Sequence, residues 1–298
     1  MVTSRRKKRL IRLGLVLLVL LAGAAYYGLV LSDPSWFEVV TGEDGPPPTE
    51  LDPDEALAAT ADAGIAEVEI AVTAKMPKEI NDGFPRRSFS GEGGLDLGSS
   101  LASASYSMED VPNSAGYMGH VSGDLEVVYS GSGFTATFPE MAEVLGDDAD
   151  WMSYDFDALT NPRAVQLGIG QLREVGLSDP RLAMALLNGA EEATEGASGS
   201  GVFTTEIDLD AAVDATADTE LGETLTLLRD RLRVSIAEAE VELDGEGRIT
   251  GVDYSLAYPA AGDEVSVELQ LDVTGFEGAP IEEPAEDVVL SYAEYLEL

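Results

Sequence analysis

A strict two-residue alternation late in the chain constrains its fold more than any other feature. Val265, Val267, Leu269, Leu271 and Val273 alternate with Glu264, Ser266, Glu268, Gln270 and Asp272. Successive side chains of a strand point to opposite faces, so this segment reads as a strand with one oily face and one wet face. The pattern recurs. Val68, Ile70 and Val72 alternate with Glu67, Glu69 and Thr73, and Ala237, Ala239, Val241 and Leu243 alternate with Glu238, Glu240 and Glu242. The latter run leads through the turn Asp244-Gly245-Glu246-Gly247 into Val252, Tyr254, Leu256 and Tyr258, which predicts a hairpin. Weaker alternation predicts strands at 88–97, 100–108, 124–130, 133–138, 151–156 and 201–209, nine or ten strands in all.

One wet face per strand points to antiparallel sheet. Helical segments interrupt the strands. Asp52-Pro53-Asp54-Glu55 is a helix-start signature followed by Ala-rich sequence to Gly64. Val165, Ile169 and Leu172 share one helical face, Leu182 and Leu186 share another after Asp179-Pro180, and a further helix is predicted from 220 to about 233. The predicted fold class is α+β: a large curved antiparallel sheet whose concave face is covered by short helices, all within one domain at 52–298. A sheet and its helices either seal an ordinary core or leave a hydrophobic cavity between them. In the second case the lining residues are Val68, Ile70, Val72, Val265, Val267 and Leu269 from the sheet, with Val165, Ile169, Leu172, Leu182 and Leu186 from the helices. Periodicity does not choose between these outcomes.

The N-terminal region has a different character. Residues 13–31 carry no charge and follow six cations, Arg5, Arg6, Lys7, Lys8, Arg9 and Arg12. As a helix the run spans roughly 28 Å, close to the hydrocarbon thickness of a bilayer. It reads as a transmembrane anchor, with residues 1–12 held in the cytoplasm by the positive-inside bias and the remainder exported. The alternative is a cleaved signal peptide, with Ala22-Gly23-Ala24 as the small residues, which exports the remainder equally. Residues 32–51, with Gly42, Gly45 and Pro46-Pro47-Pro48, form an extended spacer.

Beyond residue 32 the chain holds all 56 acidic residues and only 11 of the 17 basic ones, a net charge of −45. Self-repulsion on that scale strains a compact state unless salt screens it, and points to a salt-rich medium. Such a surface repels nucleic acid and anionic headgroups. The acidic runs 146–150 and 244–247 do not match the spacing of a calcium-binding EF-hand loop and read as solvated faces or turns. With no cysteine in the chain, disulfides, thiolate metal sites and a lipidated cysteine are excluded. His120 is the single histidine, so no histidine pair exists for zinc, and neither a G-x-S-x-G elbow nor a phosphate-binding G-x-x-x-x-G-K loop is present. Aromatic residues make up 7% of the chain and none cluster beside an acidic pair, which argues against a glycosidase cleft. The expectation is a non-enzymatic protein without cofactors.

From about residue 54 to 287 the order of features resembles the LolA-like fold, and within it the LppX/LprG family of envelope carrier lipoproteins. The pieces that carry the likeness are the opening helix and strand, the tract DWMSYDFDALTNP at 150–162, and LSDPRLAMALLNGAEEATEGASGSGVFTTEIDLDAAV at 177–213. The closing hairpin AEVELDGEGRITGVDYSLAY at 239–258 and VSVELQLDVTGFEGAPIEEP at 265–284 complete it. The resemblance implies a half-barrel enclosing an apolar pocket for the acyl chains of a lipid or glycolipid. The chain departs from that family at its anchor, where the helix at 13–31 stands in place of a lipidated cysteine. The expected partners are therefore a lipid or glycolipid and, through the N-terminal helix, the cytoplasmic membrane. The rival expectation is an envelope sensor or interaction domain that binds a protein partner.

The charge generates a direct test. Lowering salt from about 1 M to about 0.1 M lengthens the Debye length from about 3 to about 10 Å, so the unfolding midpoint of this protein falls steeply over that range. A thermal melt series in sodium chloride measures it, and a salt-independent midpoint contradicts the screening argument.

Overall fold

The structure, a computed structural model, describes residues 50–75, 86–107, 124–138, 149–156, 175–191, 193–194, 200–260 and 263–295. The anchor at 13–31, most of the spacer, His120, Val165, Ile169 and Leu172 lie outside these residues. Among the described residues no helix is long and apolar enough to cross a membrane.

The described chain enters through strand β1 (Glu50–Leu51) and helix α1 (Pro53–Asp62). Strands β2 (Ile65–Lys75), β3 (Arg86–Asp96), β4 (Leu101–Ser107), β5 (Asp124–Ser130), β6 (Gly133–Thr137) and β7 (Trp151–Asp155) follow in an antiparallel series. Helix α2 (Pro180–Leu186) ends in a 3₁₀ turn, Leu187–Gly189, before the short strands β8 (Ala193–Thr194) and β9 (Val202–Thr205). Helices α3 (Leu209–Thr216) and α4 (Glu220–Leu227) come next, the latter unwinding into a π-helical turn, Leu228–Leu232. The chain closes with β10 (Ser235–Leu243), β11 (Ile249–Ala260), β12 (Asp263–Gly275) and the three-residue β13 (Val289–Ser291).

Eleven of these strands make one open sheet in the order β13-β7-β6-β5-β4-β3-β2-β12-β11-β10-β9, while β1 and β8 pair separately. Every neighbouring pair in the large sheet is antiparallel except β13 and β7. The fold is thus α+β, with a large and mostly antiparallel sheet that does not close. Within it the pairing of β2 with β12 joins the early and late strand series across about two hundred residues of sequence.

Local signals account for most boundaries. The Asp52 carboxylate caps α1, accepting the N–H groups of Asp54 and Glu55 at 3.1 and 3.2 Å, and Gly64 leaves the helix at φ +99°. In the hairpin turn, Asp244 Oδ1 accepts the N–H groups of Glu246 and Arg248, both at 2.9 Å, and Gly247 takes φ +79°. That carboxylate is committed to the turn and to Arg248, and among the described residues no group of three His, Asp or Glu is placed to hold a metal ion. The predicted strand 201–209 is cut short. Asp208 accepts the N–H groups of Asp210 and Ala211 and starts α3 there, so Ile207 and Leu209, which extend the alternation on paper, fall on either side of a helix cap. The short parallel β13 was not among the predicted strands.

The alternating apolar residues form one continuous core with the helices. Opposite them, register sets Glu242, Gly251, Asp272, Glu69, Glu92, Ser105 and Glu126 in a single row across β10, β11, β12, β2, β3, β4 and β5. The next row places Glu240 opposite Asp253. Partial burial, followed by the charge of their neighbours, raises the pKa values of Glu242 and Asp253. Asp272 is raised as well, chiefly by burial, against the opposing hydrogen bond from Gln270.

A carboxyl whose folded-state pKa exceeds its unfolded value holds its proton more tightly when folded, so its contribution to stability falls as pH rises through that interval. Asp96 acts in the opposite sense: the Ser99 hydroxyl and nearby backbone N–H groups lower its pKa, and the stability it lends is lost in acid. At low salt the melting temperature therefore climbs as pH is lowered from neutrality through the raised pKa values of Glu242, Asp253 and Asp272, then falls in stronger acid. Asp272→Asn raises the melting temperature at neutral pH and flattens the climb. A stability that only decreases from neutral pH downward contradicts this account.

Candidate functional site

The segment Leu177-Ser178-Asp179-Pro180-Arg181-Leu182 holds an aspartate and an arginine in an otherwise apolar helix start. Asp179 caps α2 and Pro180 occupies its first turn, where a missing N–H costs nothing. All seven residues of α2 are buried. A helix this short is unstable alone, so its packing must hold it in place.

Arg181 is 2% exposed and Asp179 is 5% exposed. The guanidinium Nε lies 3.1 Å from both Asp179 carboxylate oxygens, and Nη2 lies 2.8 Å from Oδ2. Nη1 donates to the Ser100 carbonyl at 2.9 Å, and Nη2 lies 3.4 Å from the carbonyls of Gly131 and Gly133. Ser100 and Gly131 both sit in left-handed backbone at φ +55°. One buried cation therefore ties α2 to the β3–β4 turn and the β5–β6 turn by donating to their carbonyls.

Behind this pair lies a hydroxyl cluster. Tyr106 OH is 2.9 Å from both Tyr129 OH and Ser178 Oγ, and the Val175 carbonyl accepts from Tyr129 at 3.0 Å and from Ser178 at 2.7 Å. Gly91 makes room for the Tyr106 ring: a Cβ there would meet Tyr106 Cδ1 at 2.7 Å. Burial pushes the Tyr106 phenol up to about 12 and Tyr129 well above its usual range. Burial likewise raises Tyr254, whose hydroxyl has no hydrogen-bond partner among the described residues, and the Asp179 charge adds to it. These phenols stay protonated at physiological pH, and Tyr106 and Tyr129 act there as hydrogen-bonding groups.

A cleft of about 650 Å³ opens beside Arg181. Leu57, Ala58 and Ala61 of α1 form one wall, Leu97, Ser99 and Ser100 of the β3–β4 turn another, and Arg181, Met184, Ala185 and Asn188 the floor. Thr216, Asp218, Thr219, Glu220 and Leu221 at the α3–α4 junction close the rim. The volume is in the range of small-molecule sites, and a mostly apolar wall with a few polar groups is their usual composition. Two grooves of about 660 and 560 Å³ on the opposite face of the sheet are lined by carboxylates and hydroxyls, among them Glu240, Asp253, Glu69 and Asp272.

Of the lining residues named from sequence, Val68, Ile70, Val72, Val265, Val267, Leu269, Leu182 and Leu186 are described, and each is 3% exposed or less within the continuous core. None of these eight borders the 650 Å³ cleft. Leu182 and Leu186 share α2 with the floor residues Met184 and Ala185. Sequence reasoning passed over Arg181, Met184, Ala185 and Asn188, although a lone arginine two residues after an aspartate in an apolar run was a visible signal. Comparison with protein-family models and with curated proteins finds no match for this chain.

Removing one partner of a buried pair leaves the other charge uncompensated. Arg181→Met is expected to lower the unfolding free energy by about 3–5 kcal/mol and Asp179→Ala by a similar amount, with the double variant costing less than the sum. Denaturant unfolding in high salt measures all three, and wild-type stability in Arg181→Met removes the clamp from this account.

Proposed function

We propose that this protein is a membrane-tethered, non-enzymatic carrier that holds the acyl chains of a lipid or glycolipid on the outer side of the cytoplasmic membrane. The observation that carries the reading is the apolar cleft between α1, α2 and the α3–α4 junction. Burial supplies the affinity: each methylene removed from water contributes about 0.8 kcal/mol, so ten contribute roughly 8 kcal/mol before ordering costs. The resemblance of the sequence to LolA-like carriers points the same way, with the helices lying in the hollow of a half-barrel sheet. The uncharged run at 13–31 serves as the tether, and the Pro-rich spacer sets how far the domain reaches. A tethered carrier hands over cargo only within that reach.

The full-length protein purified from its own host in mild detergent is expected to retain acyl species detectable by mass spectrometry. Ala58 is exposed on α1 and borders the cleft, so Ala58→Trp fills the cleft from outside the core. This variant should lose most of the retained lipid while changing stability by less than about 0.5 kcal/mol. A protein free of lipid that instead captures a polypeptide supports the interaction-domain reading, and retention unaffected by Ala58→Trp moves the site elsewhere.

A further inference from the structure

We infer that the cleft selects a neutral amphiphile whose headgroup presents a hydroxyl or carbonyl oxygen, and turns away anionic lipids. The inference rests on the cleft being the binding site proposed above. It follows from the hydrogen-bonding capacity left over on the floor and from the charges on the rim.

A guanidinium has five N–H groups. In Arg181 the Nε group and one at Nη2 meet Asp179, the other at Nη2 faces the Gly131 and Gly133 carbonyls, and one at Nη1 meets Ser100. The fifth, at Nη1, has no acceptor among the described residues, although the side chain is 2% exposed and borders the cleft. Asn188, also on the floor and half-buried, donates through Nδ2 to the Ala185 carbonyl at 2.9 Å. Its side-chain oxygen and second N–H have no partner among the described residues. The floor therefore offers a donor at Arg181 and both a donor and an acceptor at Asn188; a hydroxyl can use both kinds of group and a carbonyl the donors.

An unpaired arginine would invite a carboxylate or phosphate, but this one is already neutralised by Asp179 at 2.8 Å. The remaining charged groups of the lining, Asp218 and Glu220, are both negative. A Cβ built on Gly131 would lie 3.7 Å from Glu220 Oε2, which places that carboxylate beside the turn whose carbonyl faces Arg181. An anionic headgroup seeking the spare N–H would have to approach Glu220. Both carboxylates are exposed, so this repulsion is strongest at low ionic strength and weakens as salt is added. Asp218 and Glu220 thus act as specificity residues.

The test is a competition on the full-length protein in neutral detergent, at the lowest salt in which it stays folded. Equal amounts of a monoacylglycerol and the ionised fatty acid of the same chain length are equilibrated with the protein, which is re-isolated and its bound lipid quantified. The monoacylglycerol is expected to be favoured about tenfold, and the double variant Asp218→Asn, Glu220→Gln is expected to remove most of that preference. Equal retention of the two lipids, or a preference for the fatty acid, overturns the headgroup inference, as does a preference that survives the double variant. In each of those cases loss of both lipids in Ala58→Trp shows that the cleft itself still binds. Retention of neither lipid, or binding insensitive to Ala58→Trp, overturns the cleft reading and the inference with it.

Discussion

The arrangement depends on one buried ion pair. Asp179 and Arg181 are two residues apart, so the pair forms as soon as α2 is capped, and the guanidinium then has fixed directions in which to donate. Those directions lead to the Ser100, Gly131 and Gly133 carbonyls, in turns more than thirty residues apart. A buried ion pair is weak evidence for stability, since well-packed apolar residues of similar volume often do as well. Apolar residues would not, however, supply donors to carbonyls held in left-handed turns. The pair is best understood as fixing where α2 sits against the sheet, and the hydroxyl cluster of Tyr106, Tyr129 and Ser178 fixes the same helix start from the other side.

The sheet imposes a second constraint. A period of two gives every strand an inner and an outer set of side chains, and the register carries those sets in rows across seven strands. Placing carboxylates at the outer positions keeps the broad outer face wet. It also concentrates like charge in rows, with Gly251 leaving an opening between Glu242 and Asp272. The raised pKa values there mark the energetic cost of the arrangement in dilute solution. The same density of charge opposes folding at low ionic strength and is screened where salt is abundant.

How much of this was legible in the sequence follows from how local each signal is. Period-2 alternation is contained within one strand, and the predicted 124–130 and 133–138 match β5 and β6 almost residue for residue. Asp208 shows the limit, because its capping hydrogen bonds overrode an alternation that Ile207 and Leu209 continued. β13 is three residues long and exists through pairing with β7, a contact no local pattern encodes. The cleft is harder still. Its walls come from four segments between Leu57 and Leu221, and much of its space is set by the small side chains of Ala58, Ala61 and Ala185, which in sequence look like ordinary helix formers. Apolar periodicity marks apolar residues that are covered, so it led to the core positions Val68, Ile70 and Val267 and passed over the polar floor residues, buried Arg181 and half-buried Asn188.

That distinction bears on what a binding site in such a fold must be. A core position is filled by the chain's own side chains, and its affinity for hydrocarbon is already satisfied. A site for cargo has to be a place where apolar walls fail to meet, and here that happens where α1 approaches the sheet end with alanines on the facing side. Polar groups at such a place have to be satisfied by the protein or left for the ligand. Arg181 does both: two of its N–H groups hold Asp179, two hold the turns, and the fifth has no acceptor among the described residues. The residue that locks the helix into the sheet is therefore also the residue that gives the cleft a polar end, so the fold and the selectivity of its proposed cargo rest on the same guanidinium.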